Sequence, residues 1–307
     1  MKHILIILSL LFCFAAKAQQ DFQNTQYMFN QFVINPAYAG SKDELSVNLS
    51  HRSQWVGFEG APQTQVFNIH APLKKGLGAG MQVFNDQIGP RNVVGASAAF
   101  SYRIKMGKGK LGFGLRGGIM NYGYDWAKLN YHDMTDDVIG VGKESFIVPS
   151  FDFGTYYQSK TFYGGLEVKH LDRAKFPVKV QSASPSLDTE GRMYLHAALF
   201  LGKAFEINKD IALKTSVLMR AVENGHGYTD LNASIFLYRR IWAGVGARSN
   251  GALMVIGELY LTQNLRLAYS YDFVTSPLKA HQAGSHEIFI GYDINLFGKD
   301  AISPRYF

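Results

Sequence analysis

The sequence predicts an all-β protein, a closed transmembrane outer-membrane β-barrel of about 14 antiparallel strands. Three observations predict this fold class. Many segments alternate between apolar and polar residues with a period of two, the connections between them are alternately short and long, and the less apolar face carries charges of both signs. Together they are typical of strands with one face toward lipid and the other toward a polar lumen.

The composition excludes several other classes of protein. The 307 residues are 47% hydrophobic and 14% aromatic, but only 18% are charged, against about 25% in soluble domains. This mixture argues against disorder and against a coiled coil. The single cysteine excludes a disulfide scaffold and a zinc or iron–sulfur site built from cysteines. No uninterrupted apolar run reaches the length of a transmembrane helix.

Residues 1–18 are predicted to be a signal peptide. Lys2 and His3 precede an apolar stretch at residues 4–16, and Ala16-Lys17-Ala18 fits a cleavage site, so Gln19 would begin the mature chain. Cys13 lies inside the apolar stretch, which leaves the mature chain without cysteine. The formal net charge of +7 is a mild excess and does not indicate a nucleic-acid partner.

The segment 19–44 differs from the rest of the chain because it is rich in Gln, Asn and aromatic residues. Asn35-Pro36 and Ala39-Gly40 are turn signals within it. It could be a flexible leader. We favour the alternative, an N-terminal periplasmic or lumen segment that packs on the barrel formed by residues 45–307.

Alternation is clearest in residues 265–273, where Leu265, Leu267 and Tyr269 share one face and Arg266 and Ser270 share the other. Many of the predicted strands have 9 to 13 residues, close to the length that a tilted strand needs to cross a bilayer. In chain order the predicted strands are 45–52, 63–70, 76–84, 93–104, 110–124, 146–157, 161–169, 193–207, 210–222, 229–238, 241–249, 252–262, 265–274 and 286–297.

The connections support a membrane barrel independently. Every second one is short, at 71–75, 105–109, 158–160, 208–209, 239–240 and 263–264. The others are mostly longer, at 53–62, 85–92, 125–145, 170–192, 223–228 and 275–285, with Asn250-Gly251 as the short exception. Outer-membrane barrels have short periplasmic turns and longer outer loops. An even strand number then places both chain ends in the periplasm.

The face opposite the apolar one carries charges that a soluble barrel of this size could not easily satisfy, because buried charges must be paired or solvated. A polar membrane-barrel lumen accommodates them. The predicted inward-facing charges are Arg52, Arg103, Arg116, Glu167, Lys169, Lys214, Arg220, Glu258, Arg266, Asp272, Glu287 and Asp293.

Motifs that could carry chemistry are weak. Gly107, Gly109 and Gly112 match G-x-G-x-x-G, but they enter a strand instead of opening a helix, so hairpin glycines are the better interpretation. Residues 132–137 contain one histidine and three aspartates that could bind calcium, although a solvated acidic loop is favoured. The sequons at Asn48 and Asn232 lie within strands and are interpreted as coincidence.

No histidine spacing typical of a metal site and no G-x-S-x-G motif is present. The sequence therefore predicts no catalytic, cofactor-binding or metal-binding residues, and no enzymatic activity.

Several motifs together carry a family resemblance, most densely in residues 26–90. They are Gln26-Tyr27-Met28-Phe29-Asn30, Asn35-Pro36-Ala37-Tyr38-Ala39-Gly40, His51-Arg52-Ser53-Gln54-Trp55-Val56-Gly57-Phe58, Gly60-Ala61-Pro62-Gln63-Thr64, Gly76-Leu77-Gly78-Ala79-Gly80, Asp86-Gln87-Ile88-Gly89-Pro90 and Gly291-Tyr292-Asp293-Ile294. The chain resembles the PorP/SprF family of type IX secretion system membrane proteins, found in Bacteroidetes.

The resemblance implies an outer-membrane barrel that serves type IX secretion. Some members of the family act with the core apparatus and a lipoprotein partner, and others with one secreted adhesin, such as a gliding motility adhesin. The leading hypothesis is a non-enzymatic barrel in the outer membrane, surrounded by its lipids, that binds such a cargo or apparatus protein. Its expected contact surfaces are the loops 125–145 and 170–192 and the segment 19–44.

Two alternatives stay open. The barrel could be a diffusion or uptake channel for a small solute, which would need an open lumen. It could also be an outer-membrane enzyme such as a lipase, which would need a nucleophile and a base at the rim.

Overall fold

The computed structural model describes residues 21–129, 142–178 and 189–296. Fourteen strands form a closed antiparallel barrel in which each strand pairs with its neighbours in the chain, and β1 closes the ring by pairing with β16. The barrel strands are β1 (Leu45–Ser53), β2 (Gln63–Pro72), β3 (Leu77–Ile88), β4 (Arg91–Met106), β5 (Gly109–Asp125), β6 (Lys143–Gln158), β7 (Phe162–Lys169), β10 (His196–Glu206), β11 (Ile211–Val222), β12 (Tyr228–Leu237), β13 (Ile241–Arg248), β14 (Ala252–Tyr260), β15 (Leu265–Val274) and β16 (Ser285–Ile294).

The remaining described elements are not part of the wall. Strands β8 (Lys175–Val178) and β9 (Thr189–Arg192) pair only with each other, as a small hairpin between β7 and β10. Short 3-10 helices occur at Gln31–Val33, Pro36–Tyr38, Lys74–Gly76, Trp126–Lys128 and Pro277–His281. Within the described ranges, none of the helices has the length and apolar character needed to cross a membrane.

The predicted fold class is confirmed, because all 14 predicted strands occur in the barrel. Closure runs along the whole of β1, from Leu45 opposite Ile294 to Ser53 opposite His286. A closed ring leaves no unpaired strand edge, which a bilayer would not tolerate.

One predicted connection is wrong. Residues 85–92 were expected to form a long loop, but β3 and β4 continue until Ile88 pairs with Arg91 and leave a two-residue turn. Asn85, Asp86 and Gln87 continue the strand above the apolar belt, where outward residues need not be apolar. A polar strand extension therefore looked like a loop. The same effect lengthens β5 to 17 residues and β6 to 16.

The wall has the two faces that the alternation predicts. Large apolar side chains point outward, including Phe100 at 65% exposure, Leu115 at 64% and Val245 at 61%. The inward face is polar or small and well buried, as at Ser46, Asn48 and Arg52 on β1. The exposed apolar belt matches the lipid-facing band of an outer-membrane barrel.

We expect Leu49→Arg to destabilise the barrel in lipid vesicles by about 2–4 kcal/mol, because Leu49 is half exposed and lies at the centre of β1, near the bilayer midplane. The matched control is Leu73→Arg in the short connection after β2, where the cost should be about 0–1 kcal/mol. Unfolding in denaturant measures both. Equal costs at the two positions would contradict the placement of the membrane.

Candidate functional site

The lumen of the barrel is occupied by residues 21–44. Every residue from 24 to 41 is buried, and Phe32, Ile34, Asn35 and Ala37 have no measurable exposure. We refer to residues 21–44 as the lumen segment. It contains two of the 3-10 helices, and Asn35 caps the second one, with its side-chain oxygen accepting a hydrogen bond from the backbone N–H of Ala37 at 2.8 Å.

The lumen segment begins at the mouth formed by the longer loops. Asp21 lies beside the end of β7 and the start of β10: its carboxylate accepts a hydrogen bond from Lys169 Nζ at 3.1 Å and lies 3.2 Å from His170 Nε2. His196 Nδ1 is 3.7 Å from the same carboxylate. We refer to these four residues as the Asp21 cluster.

Just below, the backbone of the lumen segment meets a buried charge network. Glu287 accepts hydrogen bonds from the backbone N–H groups of Thr25 at 2.7 Å and Gln26 at 3.2 Å. Arg52 pairs with Glu287 at 3.1 Å and with Asp272 at 2.6 Å, and it also donates to the hydroxyl of Thr25. Charges of the wall therefore hold the segment through its own polar groups.

The middle of the segment is held by cations over aromatic rings and carbonyls. Arg116 donates to the backbone carbonyl of Phe32 and lies 5.1 Å from the centre of its ring. Lys214 Nζ lies 5.0 Å from the ring centre of Phe29 and 4.3 Å from that of Trp242. These contacts add to the carboxylates of Asp152 and Glu167, each 3.8 Å from Arg116, in stabilising cations buried in the lumen.

Further along, the wall makes room for the segment with glycines. Gly114 on β5 faces Ala37, and Gly154 on β6 faces Asn35; a Cβ atom at either glycine would clash with the segment. Asn35 Nδ2 also donates to the carbonyls of Thr155 and Leu166 at 3.0 and 3.2 Å. The segment therefore fits against the wall because the strands carry glycine at these two contact positions.

The segment ends at the mouth with the short turns. Ser101 Oγ donates to the carbonyl of Ala39 at 2.7 Å. Lys42 pairs with Asp293 at 3.2 Å, and Asp43 pairs with Arg103 at 3.1 Å. Residue 45 then enters the wall as the first residue of β1.

This path corrects one expectation. Both chain ends were predicted to lie on the side of the short turns, and the two ends of the barrel, Leu45 and Ile294, do lie there. Asp21 lies at the opposite mouth, because the lumen segment crosses the barrel. Strand counting gives the position of the first strand but cannot show the path of a segment that precedes it.

The charges predicted to face inward do so, and most find partners of opposite sign. Arg266 pairs with Glu258 and with Asp293, each at 2.9 Å. Arg248, which the sequence analysis did not single out, pairs with Asp230 at 2.7 Å. Paired charges can stay buried in a lumen that holds little water.

One cavity lies on the side of the longer loops. It has a volume of about 210 Å³ and is lined by residues that include Phe22, Trp55, Arg52, Arg91 and Asp272. A smaller cavity of about 60 Å³ adjoins Asp21 and Met120. Both volumes are far below that of a wide aqueous channel.

The other sequence motifs have structural roles or lie outside the described residues. Gly107 has φ +57° in the β4–β5 turn, and Gly109 begins β5, so these glycines form a hairpin. Asn48 and Asn232 both face the lumen, where Asn48 donates to Asn68 and Asn232 to Tyr27. His132, Asp133, Asp136 and Asp137 lie outside the described residues, as does the predicted signal peptide.

The Asp21 cluster was not predicted from the sequence. Among the described residues, Asp21, His170 and His196 also form a group whose spacing could hold a metal ion. Lys169, however, donates to the same carboxylate and supplies the positive charge that an ion would bring. No local spacing could have revealed the cluster, because Asp21 lies 148 positions from Lys169 in the chain and meets it only when the segment occupies the lumen.

Asp21 and His170 each favour the charged form of the other. Burial alone would raise the pKa of Asp21, but the neighbouring His196, Lys169 and His170 outweigh it and hold the pKa of Asp21 well below its usual range. Burial would lower the pKa of His170, but Asp21 outweighs it and raises that pKa. The ion pair between Asp21 and His170 therefore stabilises the fold mainly between about pH 4, above which Asp21 is ionised in the unfolded chain too, and about pH 6.5, below which His170 is. Its contribution is lost as the pH rises through the raised pKa of His170.

The chain matches one protein family over most of its length. The family described as "Type IX secretion system membrane protein PorP/SprF" matches residues 16–292. No curated protein matches the chain significantly.

Solved outer-membrane structures are similar in shape. The Pseudomonas putida toluene transporter TodX is 9% identical, with 92% of this chain and 96% of that chain covered and a TM-score of 0.48. A Pseudomonas aeruginosa FadL homologue is 11% identical, covering 89% and 94% with a TM-score of 0.47. The translocator domain of Neisseria meningitidis NalP is 12% identical, covering 82% and 87% with a TM-score of 0.45. At these scores none of the three bears on what this chain does.

We expect Arg266→Met to lower the free energy of unfolding by about 3–5 kcal/mol, because Glu258 and Asp293 would lose a buried partner. The control is Lys160→Met, which breaks an exposed pair with Glu206 and should cost less than about 1 kcal/mol. Denaturant unfolding in detergent or lipid measures the difference. Similar costs for the two variants would show that the lumen is hydrated and the pair screened.

Proposed function

Since the chain belongs to the PorP/SprF family of type IX secretion system membrane proteins, we propose that it is a closed docking barrel that binds a secreted surface adhesin. Family and fold make it an outer-membrane barrel of type IX secretion. The adhesin is the proposed partner, and a lipoprotein or another part of the secretion apparatus is the alternative partner that the same experiment would reveal.

The observation that carries this proposal is the occupied lumen. A diffusion channel needs a continuous aqueous path, whereas residues 24–41 are buried within the barrel. Contacts of the lumen segment extend from Glu287 near one mouth to Arg116 in the middle and Asp293 near the other mouth. A barrel filled in this way is suited to hold a partner at its surface, not to pass a solute.

The surface that fits a protein partner is the mouth with the longer loops. Strands β5 and β6 continue there beyond the apolar belt, and the 3-10 helix Trp126–Lys128 follows β5. The β8–β9 hairpin lies beside them, and Phe176 of this hairpin stacks on Phe146 with ring centres 4.9 Å apart. Aromatic residues are enriched at protein–protein interfaces.

One observation favours the channel as the second candidate. The side-chain amide of Gln31 is buried in the lumen, and neither its nitrogen nor its oxygen has a hydrogen-bond partner among the described residues. An unsatisfied buried polar group costs about 1–3 kcal/mol. Displacing the lumen segment would relieve that cost and open a polar lumen.

Conductance in planar bilayers distinguishes the two candidates. We expect the purified chain to insert without a steady open-state current, and a variant that lacks residues 22–41 to conduct, because the deletion removes the occupant of the lumen. A steady current from the unmodified chain would favour the channel. The current through the deletion variant is the control, because it shows that the measurement detects this barrel when its lumen is empty.

Affinity purification from gently solubilised outer membrane identifies the partner. We expect a large secreted adhesin to co-elute with the tagged chain, and a variant with the β8–β9 hairpin replaced by a short glycine-rich turn to recover less of it. Recovery of secretion-system lipoproteins alone would assign the barrel to the core apparatus. Elution of the chain alone, from cells that secrete the adhesin, would contradict the docking proposal.

A further inference from the structure

The two mouths of the barrel can be told apart by their connections. The mouth that contains Leu45 also contains the short connections 73–76, 107–108, 159–161, 207–210, 238–240 and 261–264. The other mouth contains the longer connections, including those after β1, β5, β7 and β15. Because outer-membrane barrels keep their short turns in the periplasm, the mouth with the longer connections faces the outside of the cell.

The lumen segment crosses between these mouths in one direction. Asp43, next to the wall, pairs with Arg103 near the periplasmic turn of β4 and β5. Arg116 holds Phe32 about halfway along β5. Thr25 meets Arg52, the second-last residue of β1 at the outer mouth.

The crossing is completed by the Asp21 cluster. Lys169 is the last residue of β7, His170 follows it, and His196 is the first residue of β10. All three belong to the outer mouth, and all three lie within 3.7 Å of the Asp21 carboxylate. Phe22 adds a ring contact with Phe84 at 5.0 Å. Asp21 is thus fixed to the wall by several groups at once.

We propose that the N-terminus of the mature chain is displayed at the outer mouth, on the cell-surface side of the barrel. Cleavage after Ala18 would leave two residues before Asp21, and two residues span at most about 7 Å of extended chain. The apolar band of such a barrel is about 25 Å tall. The N-terminus therefore cannot return to the periplasm while Asp21 is bound at the outer mouth.

Two consequences follow. The free chain end becomes part of the surface that a partner on the outside meets, next to the cavity lined by Phe22, Trp55 and Arg91. The lumen segment must also either thread into the closed barrel from the periplasmic mouth or be enclosed as β1 pairs with β16, because its last residue is joined to β1 at that mouth. The inference concerns the path of the chain and holds for any partner or solute.

Cysteine labelling of intact cells tests the proposal, since the mature chain contains no cysteine of its own. The test variant is Gln20→Cys. Asn250→Cys, in the exposed outer turn between β13 and β14, is the positive control. Asn208→Cys, in the exposed turn between β10 and β11, is the periplasmic control. The reagent is a polymer-bearing maleimide too large to pass through diffusion porins.

We expect the cysteine at position 20 to react in intact cells to the same extent as that at position 250, while the cysteine at position 208 reacts only after lysis. Reaction at position 20 only after lysis would overturn the proposal. A short epitope inserted after Gln19 decides the case in which the cysteine reacts under neither condition. Antibody binding to intact cells supports an outer N-terminus, and binding only to permeabilised cells overturns it. N-terminal sequencing of the purified chain verifies the cleavage site in each variant.

Discussion

The constraint on which the structure depends is that charges inside a filled barrel must find partners, because little water is left to solvate them. The lumen segment excludes water from most of the interior, and wall residues such as Arg52, Arg266 and Asp272 are almost fully buried as a result. They are stable there because each is paired with an opposite charge or bonded to the segment. The wall and the segment therefore depend on each other.

This mutual dependence links the fold to the proposed function. Glycines such as Gly114 and Gly154 give the segment its space, and the buried ion pairs give it polar partners. A barrel whose lumen is filled in this way does not offer a pore. The parts of it that project from the outer mouth are the longer loops and the strand extensions. In the proposed function a secreted protein docks at that mouth, whereas transport of a small solute would first require the segment to leave.

Much of the fold could be predicted from the sequence, because alternation, strand length and loop length are local properties that a closed lipid-facing barrel imposes. The 14 barrel strands and the inward charges were found in this way. The two-residue turn at Gly89-Pro90 was missed because strand extensions above the membrane lose the apolar signal. The Asp21 cluster was missed because Asp21 and His170 are 149 positions apart and meet only through the lumen.

Hydrogen exchange followed by mass spectrometry of the folded barrel in lipid tests the central claim, the occupied lumen, most directly. Backbone amides of residues 24–41 should be protected nearly as strongly as those of β1 and β16, because the segment is buried and can exchange only when the barrel opens. The exposed loop residues 57–60 provide the fast-exchanging reference. Exchange of residues 24–41 as fast as that reference would show that the segment lies outside the lumen and would contradict the account.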